Sequence, residues 1–134
     1  MKRIITVFAL LWAFAASAEN VSWLRYPSIS PDGKNVVFSY KGNLFLVASE
    51  GGEARQLTSN EAYDYSPVWS PDGRTIVFSS DRYGNFDIFA ISVDGGQPVR
   101  VTTHSAKETP WTFTPDGSNI LYTANQKRRR PYCR

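Results

Sequence analysis

The feature that most constrains the fold is a tetrapeptide, Ser/Thr-Pro-Asp-Gly, that occurs three times at spacings of 40 and 44 residues. The copies occupy residues 30–33, 70–73 and 114–117. Pro presets φ at the second position of a tight turn, Asp suits the third, and Gly accepts the positive φ of the fourth. The first hydroxyl accepts a hydrogen bond from a following backbone N–H. Each copy therefore predicts a tight turn between two strands.

The residues around these turns repeat as well. A β-branched or aromatic run follows each turn, at 36–39, 76–79 and 120–123, and the first two copies continue to paired glycines at 51–52 and 95–96. The second copy carries four extra residues, which we place within the turn at 80–85 because a hairpin tolerates insertions there. Four short strands in each repeat, with no helical periodicity after residue 18, are the pattern of a propeller blade.

We therefore predict an all-β fold made of β-propeller blades, each of four antiparallel strands. Two blades are complete and a third is partial, at about 26–58, 66–102 and 111–124, so the ring is incomplete. A β-sandwich or β-barrel is the alternative, but neither requires the same turn at a fixed period. A ring of four such blades needs roughly 170 residues. The chain therefore needs further blades or self-association to bury its outer faces.

Residues 1–18 have the form of a signal peptide. A positive start, Lys2-Arg3, precedes an apolar run at 4–16, and Ala16-Ser17-Ala18 predicts cleavage before Glu19. The alternative, a membrane anchor, is disfavoured because the run rises only roughly 20 Å as a helix, against a hydrocarbon core of roughly 30 Å. We expect an exported protein, in a bacterial periplasm or secreted, with no membrane contact after cleavage.

The basic pI of about 9.1 comes from the two ends of the chain. Of the 15 Lys and Arg residues, two lie in the signal and five in the last eight residues, which leaves eight against 12 acidic residues, a net charge of −4. A nucleic-acid surface needs cations across the folded face. The acidic body therefore predicts no nucleic-acid partner.

Residues 125–134 depart from the repeat. They include the basic run 127–130 but no third strand, paired glycines or closing strand. We predict a disordered or aberrant tail, produced by a truncated or shifted reading frame, and a functional basic tail is the alternative.

No catalytic residue, cofactor or metal site is predicted. His104 is the only His, and it lies in a loop where the preceding copy has Asn60, so we interpret it as a polar loop residue rather than a base. One His and one Cys, Cys133, are too few for zinc, and Cys133 has no partner for an internal disulfide. Three oxygen-bearing residues are a weak calcium candidate that we interpret as turn caps: Asp81, Asn85 and Asp87.

The loops between blades, 60–65 and 104–109, are the best candidates for contact with a partner, because loops on a rigid scaffold commonly carry binding. When the two loops are aligned, each has a carboxylate at the same position, Asp64 in the first and Glu108 in the second. Repeated around a ring, these carboxylates would form an acidic rim. The alternative is that each carboxylate accepts hydrogen bonds within its own loop. The predicted partner-facing residues are Asp64, Tyr65, His104 and Glu108. Trp69 and Phe113 share one position before the turn, and we assign them to core packing.

The turn, the aromatic-ended strand and the run Asp-Arg-Tyr-Gly-Asn-Phe-Asp-Ile at 81–88 resemble the TolB-type, WD-like propeller repeat over residues 26–124. More narrowly, Trp-Leu-Arg-Tyr-Pro at 23–27, together with residues 38–44, resembles the N-terminal propeller of bacterial tricorn-like serine peptidases. That resemblance implies that one or two propellers precede a PDZ domain and a C-terminal-processing-type protease domain.

The resemblance further implies that the nucleophile and base lie in the distal protease domain, and no position of this chain matches them. We therefore expect a segment that is not itself an enzyme and that binds or admits peptides for an exported peptidase. The alternative is a TolB-like periplasmic propeller that contacts envelope proteins without enzymatic activity. A third possibility is a different hydrolase that carries the same repeat.

Overall fold

The computed structural model describes residues 23–125, so the predicted signal peptide and residues 126–134 of the predicted tail lie outside the described residues. Ten strands follow one another in chain order: β1 (Leu24–Ile29), β2 (Asn35–Tyr40), β3 (Asn43–Ala48), β4 (Arg55–Gln56), β5 (Asp64–Trp69), β6 (Thr75–Ser80), β7 (Asp87–Ser92), β8 (Gly95–Arg100), β9 (Lys107–Phe113) and β10 (Ile120–Asn125). The described chain contains no helix.

The strands form three separate antiparallel sheets. Strands β1 to β4 make the first, β5 to β8 the second, and β9 and β10 the third, with the strands of each sheet in chain order. We call these sheets blade 1, blade 2 and blade 3. Two four-stranded meanders followed by a two-stranded one confirm the all-β prediction of an incomplete propeller.

The repeated tetrapeptide forms the same hydrogen-bonded turn in every blade. In blade 1 the Ser30 hydroxyl donates to the Asp32 carboxylate at 2.6 Å and accepts the Asn35 N–H at 2.9 Å. The Gly33 N–H closes the turn on the Ser30 carbonyl, and Gly33 has a φ of 73°. Blades 2 and 3 repeat these contacts. These contacts confirm the predicted turn. The hydrogen bond from the Ser or Thr hydroxyl to the Asp carboxylate was not predicted from the sequence.

The first strand of each blade begins two to four residues before the start expected from the sequence: Leu24, Asp64 and Lys107 in place of 26, 66 and 111. A β-bulge interrupts the pairing of each of these strands. In blades 1 and 2 the bulge contains a non-glycine residue at positive φ, Tyr26 at 53° and Ser66 at 56°. A bulge lets the strand resume pairing beyond the irregular residue, which lengthens it toward the N-terminus.

The insertion in the second repeat lies where the sequence predicts it. Blade 1 joins β2 to β3 by Lys41 and Gly42, whereas blade 2 uses residues 81–86 between β6 and β7. Lys41 and Gly42 both have positive φ, at 50° and 82°, the conformation of a type I′ hairpin turn. The paired glycines differ from expectation, because Gly95 and Gly96 open strand β8 rather than forming the turn before it.

Successive blades are joined by hydrogen bonds from serine hydroxyls and backbone N–H groups to backbone carbonyls. The Ser39 hydroxyl donates to the Asp64 carbonyl at 2.7 Å, and the Asp64 N–H donates to the Gly42 carbonyl at 2.8 Å. One repeat later, Ser79 donates to the Glu108 carbonyl, and the Glu108 N–H bonds the Phe86 carbonyl. The core between blades 1 and 2 includes Val37, Leu44, Leu46, Leu57, Trp69, Ile76, Phe78, Phe89 and Ile91. Trp69 is thus in the core, as predicted.

Candidate functional site

One predicted partner-facing residue, Asp64, is buried in an ion pair. Its side chain is fully buried at the start of β5, and Arg82 Nη2 lies 3.1 Å from one carboxylate oxygen and 3.2 Å from the other. The Asn60 amide donates to the same carboxylate at 3.2 Å. The Arg82 guanidinium also lies over the Phe89 ring, 4.5 Å from its centroid. The Asp64 carboxylate therefore forms an ion pair within blade 2 and does not face solvent.

Glu108 occupies the equivalent place at the start of the third sheet and is also buried, with 1% exposure. Its Oε2 atom has no hydrogen-bond partner among the described residues. The neighbouring cation, Lys107, lies over the Tyr65 and Phe86 rings at 5.3 and 4.7 Å from their centroids. Asp64 and Glu108 are therefore buried in the described chain and do not form the exposed acidic rim that the sequence suggests.

The other two predicted residues are Tyr65 and His104, which differ in burial. Tyr65 is buried between blades, where its hydroxyl lies 3.0 Å from Thr109 Oγ1. His104 is exposed, and its Nδ1 accepts the Ala106 N–H at 3.2 Å within its own loop. Of the four predicted residues, His104 alone has an exposed side chain, and its ring is used as a loop cap.

The weak calcium candidates lie in the loop between β6 and β7 and at the first residue of β7, where they make protein contacts. The Asp81 carboxylate accepts the Tyr63 N–H at 2.7 Å, and Asp87 is held by Arg100 Nη2 at 2.6 Å. The Asn85 amide nitrogen donates to the His104 carbonyl at 2.7 Å. Within residues 23–125 no three His, Cys, Asp or Glu side chains are grouped so that they could hold a metal ion.

The turn aspartates are the groups whose pKa values move most clearly. Hydrogen bonds from the Ser30 hydroxyl and the Lys34 backbone N–H lower the pKa of the Asp32 carboxyl. Hydrogen bonds from the Ser70 hydroxyl and the Arg74 backbone N–H lower the pKa of Asp72 in the same way. For Asp116, hydrogen bonds from the Ser118 and Thr114 hydroxyls lower the pKa from 3.8 to about 2. These carboxylates lie in solvent-exposed turns, and their ionised form is stabilised by the turn itself.

An open recess, which the sequence did not predict, lies beside the turn between β2 and β3. It has a volume of about 540 Å³ and is lined by Trp23, Arg25, Ser39, Lys41, Gly42 and Tyr63. We call it the Trp23 recess. The Trp23 and Tyr63 side chains are 62% and 41% exposed, so both rings face solvent. A Cβ on Gly42 would stand 3.3 Å from the Tyr63 ring, so glycine allows that ring to approach the turn.

The Trp23 recess combines two kinds of recognition chemistry. The Trp and Tyr rings offer broad apolar faces with a polar handle, and Arg25 and Lys41 contribute positive charge. Its size is within the usual range for ligand sites. The sequence carried a signal for it in the Trp-Leu-Arg-Tyr-Pro opening, but the contribution of Tyr63 from the following blade was not visible there. Residues 23–125 contain no helix that is long and apolar enough to cross a membrane.

The chain is similar to a known protein family and to several known proteins. The family described as the tricorn protease N-terminal β-propeller domain matches residues 21–132. Among curated relatives, dipeptidyl-peptidase 5 of Porphyromonas gingivalis is 34% identical over 71 residues, which cover 46% of this chain and 10% of that protein. A TolB homolog of Chlorobium chlorochromatii is 40% identical over 62 residues, covering 41% of this chain and 14% of the relative.

Solved structures agree at the level of the fold. A putative TolB from Agrobacterium tumefaciens superposes with a TM-score of 0.65 and 31% identity, over 73% of this chain and 37% of that one. The tricorn protease gives a TM-score of 0.65 at 24% identity, over 75% of this chain and 10% of that one. The chain thus spans a small part of each relative. On the match over residues 21–132, it belongs to the tricorn protease N-terminal β-propeller domain family.

Proposed function

We propose that this chain is the peptide-binding or gating segment of an exported tricorn-like serine peptidase whose catalytic groups lie in another domain. The observation that carries the proposal is the Trp23 recess in a chain of this family. The relatives named as peptidases support a role beside peptide hydrolysis. The signal-like residues 1–18 support export to a periplasm or to the medium.

The bulges in the edge strands β1 and β5 bear on how a peptide would bind. A peptide often binds by adding a strand to an exposed sheet edge, where it needs a regular row of backbone groups. The edge strands β1 and β5 each carry a bulge and a proline, Pro27 and Pro67, and proline has no N–H to donate. Strand addition at these edges is therefore disfavoured, and we assign peptide contact to side chains of the Trp23 recess.

The charge of the recess indicates which end of a peptide it favours. Arg25 and Lys41 are exposed and form no ion pair with any carboxylate in the described part of the chain. A free C-terminal carboxylate, or an acidic side chain near it, would be attracted to these cations, while apolar side chains would pack on Trp23 and Tyr63. We therefore expect a preference for peptides with a free carboxylate over amidated copies.

The test is fluorescence anisotropy with a labelled, unstructured decapeptide and its C-terminally amidated copy. We expect Trp23→Ala and Lys41→Ala each to weaken binding of the free-acid peptide by about tenfold, the usual effect of losing a central aromatic or charged contact. Trp111→Ala is the matched control, because Trp111 is 66% exposed on a different sheet. Equal effects of all three substitutions would show that the recess is not the peptide site.

The second candidate is a TolB-like propeller that contacts folded envelope proteins. The observation that favours it is the 31% identity and TM-score of 0.65 to the putative TolB of Agrobacterium tumefaciens. Translation of the DNA beyond codon 134 in all three frames separates the two functions. Further blades followed by PDZ and protease sequence support the peptidase, whereas a stop directly after the last blade supports the TolB-like protein.

A further inference from the structure

Tyr63 is the one lining residue of the Trp23 recess that lies outside blade 1 and its flank. The other lining residues lie between 23 and 42, whereas Tyr63 belongs to the loop that leads into β5 of blade 2. The Tyr63 ring comes so close to the turn between β2 and β3 that a Cβ on Gly42 would stand 3.3 Å from it. The shape of the recess therefore depends on how Tyr63 is held against blade 1.

Two hydrogen bonds fix the backbone around Tyr63. The Asp64 N–H donates to the Gly42 carbonyl at 2.8 Å, which holds the residue after Tyr63. The Tyr63 N–H donates to the Asp81 carboxylate at 2.7 Å. Asp81 is the first residue of the loop 81–86, where blade 2 carries its insertion, and it does not line the recess. A residue outside the recess thus holds one of its walls.

The contact between blades 2 and 3 uses the same backbone arrangement with a different residue. Phe86 stands directly before β7, as Gly42 stands directly before β3. The Phe86 carbonyl accepts the Glu108 N–H at 2.8 Å, as the Gly42 carbonyl accepts the Asp64 N–H. Gly42 and Phe86 are therefore equivalent positions at two successive contacts between blades.

At this second contact, aromatic and aliphatic groups fill the space beside the turn. The Phe86 ring meets the Tyr65 ring edge-on, with 5.1 Å between centroids. Lys107 precedes Glu108 as Tyr63 precedes Asp64, and its ammonium lies over the Tyr65 and Phe86 rings. At the first contact Gly42 has no side chain to fill the space, so the position of the Tyr63 ring decides whether the recess is open.

We propose that Asp81 is a positioning residue for the Trp23 recess, because its carboxylate fixes Tyr63 and Tyr63 sets the width of the recess. This inference rests on the peptide-binding function proposed above. Asp81 acts as a hydrogen-bond acceptor for a backbone N–H, not as a charge for the ligand. Its negative charge alone would weaken the attraction of a peptide carboxylate to Arg25 and Lys41. Positioning and charge therefore predict opposite effects of removing Asp81.

The test is fluorescence anisotropy of the full chain with the free-acid and amidated decapeptides. We expect Asp81→Ala to weaken binding of both peptides about fivefold, the net contribution of one hydrogen bond, and to leave the ratio of the two affinities unchanged. Asp81→Asn keeps a side-chain oxygen for the Tyr63 N–H and should bind within about twofold of the native chain. In a Tyr63→Ala chain, Asp81→Ala should change the affinity by less than about twofold, because Asp81 acts through Tyr63.

Asn85→Ala is the matched control within the same loop. The Asn85 amide donates to the His104 carbonyl at 2.7 Å, so this substitution removes a link between loops at the contact between blades 2 and 3. It should leave the affinity for both peptides unchanged. Equal losses in Asp81→Ala and Asn85→Ala would indicate a general loosening of the blades and would overturn the inference. Equal losses in Asp81→Ala and Asp81→Asn would indicate an effect of charge and would also overturn it.

A measurement without peptide separates this inference from the proposed function. The close approach of Gly42 to Tyr63 predicts a nuclear Overhauser cross-peak between the Gly42 Hα protons and the Tyr63 ring protons. We expect this cross-peak in the native chain, in Asp81→Asn and in Asn85→Ala, and its loss in Asp81→Ala. If Asp81→Ala does not fold, Asp81→Leu keeps the branched shape of the side chain without an acceptor and carries the same expectation.

A cross-peak of native intensity in the folded Asp81→Ala or Asp81→Leu chain overturns the inference, whatever the peptides do. The cross-peak could instead be lost while Trp23→Ala and Asp81→Ala bind both peptides as the native chain does. Asp81 would then still position Tyr63, and the peptide-binding function alone would be refuted.

Discussion

Replacing Arg82 by methionine tests the energetics of blade 2 most directly. Met retains much of the apolar stem that packs over Phe89 but removes the charge. Asp64 is fully buried and Arg82 is only 17% exposed, so solvent screens the pair weakly. Breaking a buried ion pair by removing one partner costs about 3–5 kcal/mol. We expect Arg82→Met to lower the free energy of unfolding by that amount, a large share of the stability of a small domain.

The double substitution Asp64→Leu with Arg82→Met completes the test. Blade 1 carries Leu24 at the register position of Asp64, although Leu24 is 41% exposed and Asp64 is fully buried. With the charge removed on both sides, we expect stability to return to within about 1 kcal/mol of the native chain, because replacing a whole buried pair by apolar groups is often neutral. The remaining cost is the Asn60 amide, which loses its acceptor.

Urea unfolding followed by tryptophan fluorescence and far-ultraviolet circular dichroism measures both variants, with the buried Trp69 as the main probe. Arg74→Met is the matched control, since Arg74 is exposed and forms no ion pair in the described chain, and it should change stability by less than about 0.5 kcal/mol. A loss below about 1 kcal/mol for Arg82→Met, or a double variant no more stable than the single one, would refute this account.

Three further predictions concern the repeated turns and strands. Thr58→Val removes the hydroxyl that accepts the buried Leu44 N–H at 2.9 Å, and urea unfolding should show a loss of about 1–2 kcal/mol; an unchanged midpoint contradicts this. Gly33→Ala places a residue with a Cβ at a φ of +73°, and the added Cβ has no contact within 4 Å. Backbone strain alone should therefore lower the free energy of unfolding by about 1 kcal/mol in the same assay, and any gain in stability contradicts this. The pKa of Asp116 is lowered from 3.8 to about 2. The ionised carboxylate therefore stabilises the fold fully above pH 3.8, and this stabilisation is lost as the pH falls through about 2. Asp116→Asn should therefore flatten the plot of melting temperature against pH in that window, and an unaltered slope contradicts the assignment.

The fold was predictable because each turn is specified locally. The Ser/Thr-Pro-Asp-Gly turn needs only four residues, and the alternation after it marks the strand, so the meander and its repeat follow from nearby residues. The starts of the first strands were not predictable in this way. Tyr26 and Ser66 adopt positive φ without being glycine, and the conformation is imposed by pairing across the sheet rather than by the residue type.

The candidate site was harder to predict because it depends on how blades stack. Asp64 and Glu108 are charged residues in apparent loops, which the sequence alone places at the surface. The structure places both at the start of a strand beneath the preceding blade, where the interblade hydrogen bonds hold them. Tyr63 likewise reaches the Trp23 recess from the loop that begins the next blade. Such contacts between repeats have no local sequence signal.

The way in which the blades are joined has an evolutionary consequence. Each junction uses a serine hydroxyl and main-chain groups, so it accepts Asp64 at one boundary and Glu108 at the next without changing its hydrogen bonds. Because these hydrogen bonds do not depend on the side chain at the start of the next blade, one junction can be exchanged for another. Duplication or loss of one whole repeat in the gene would therefore create boundaries that already fit, and related proteins can differ in repeat number while each repeat diverges separately.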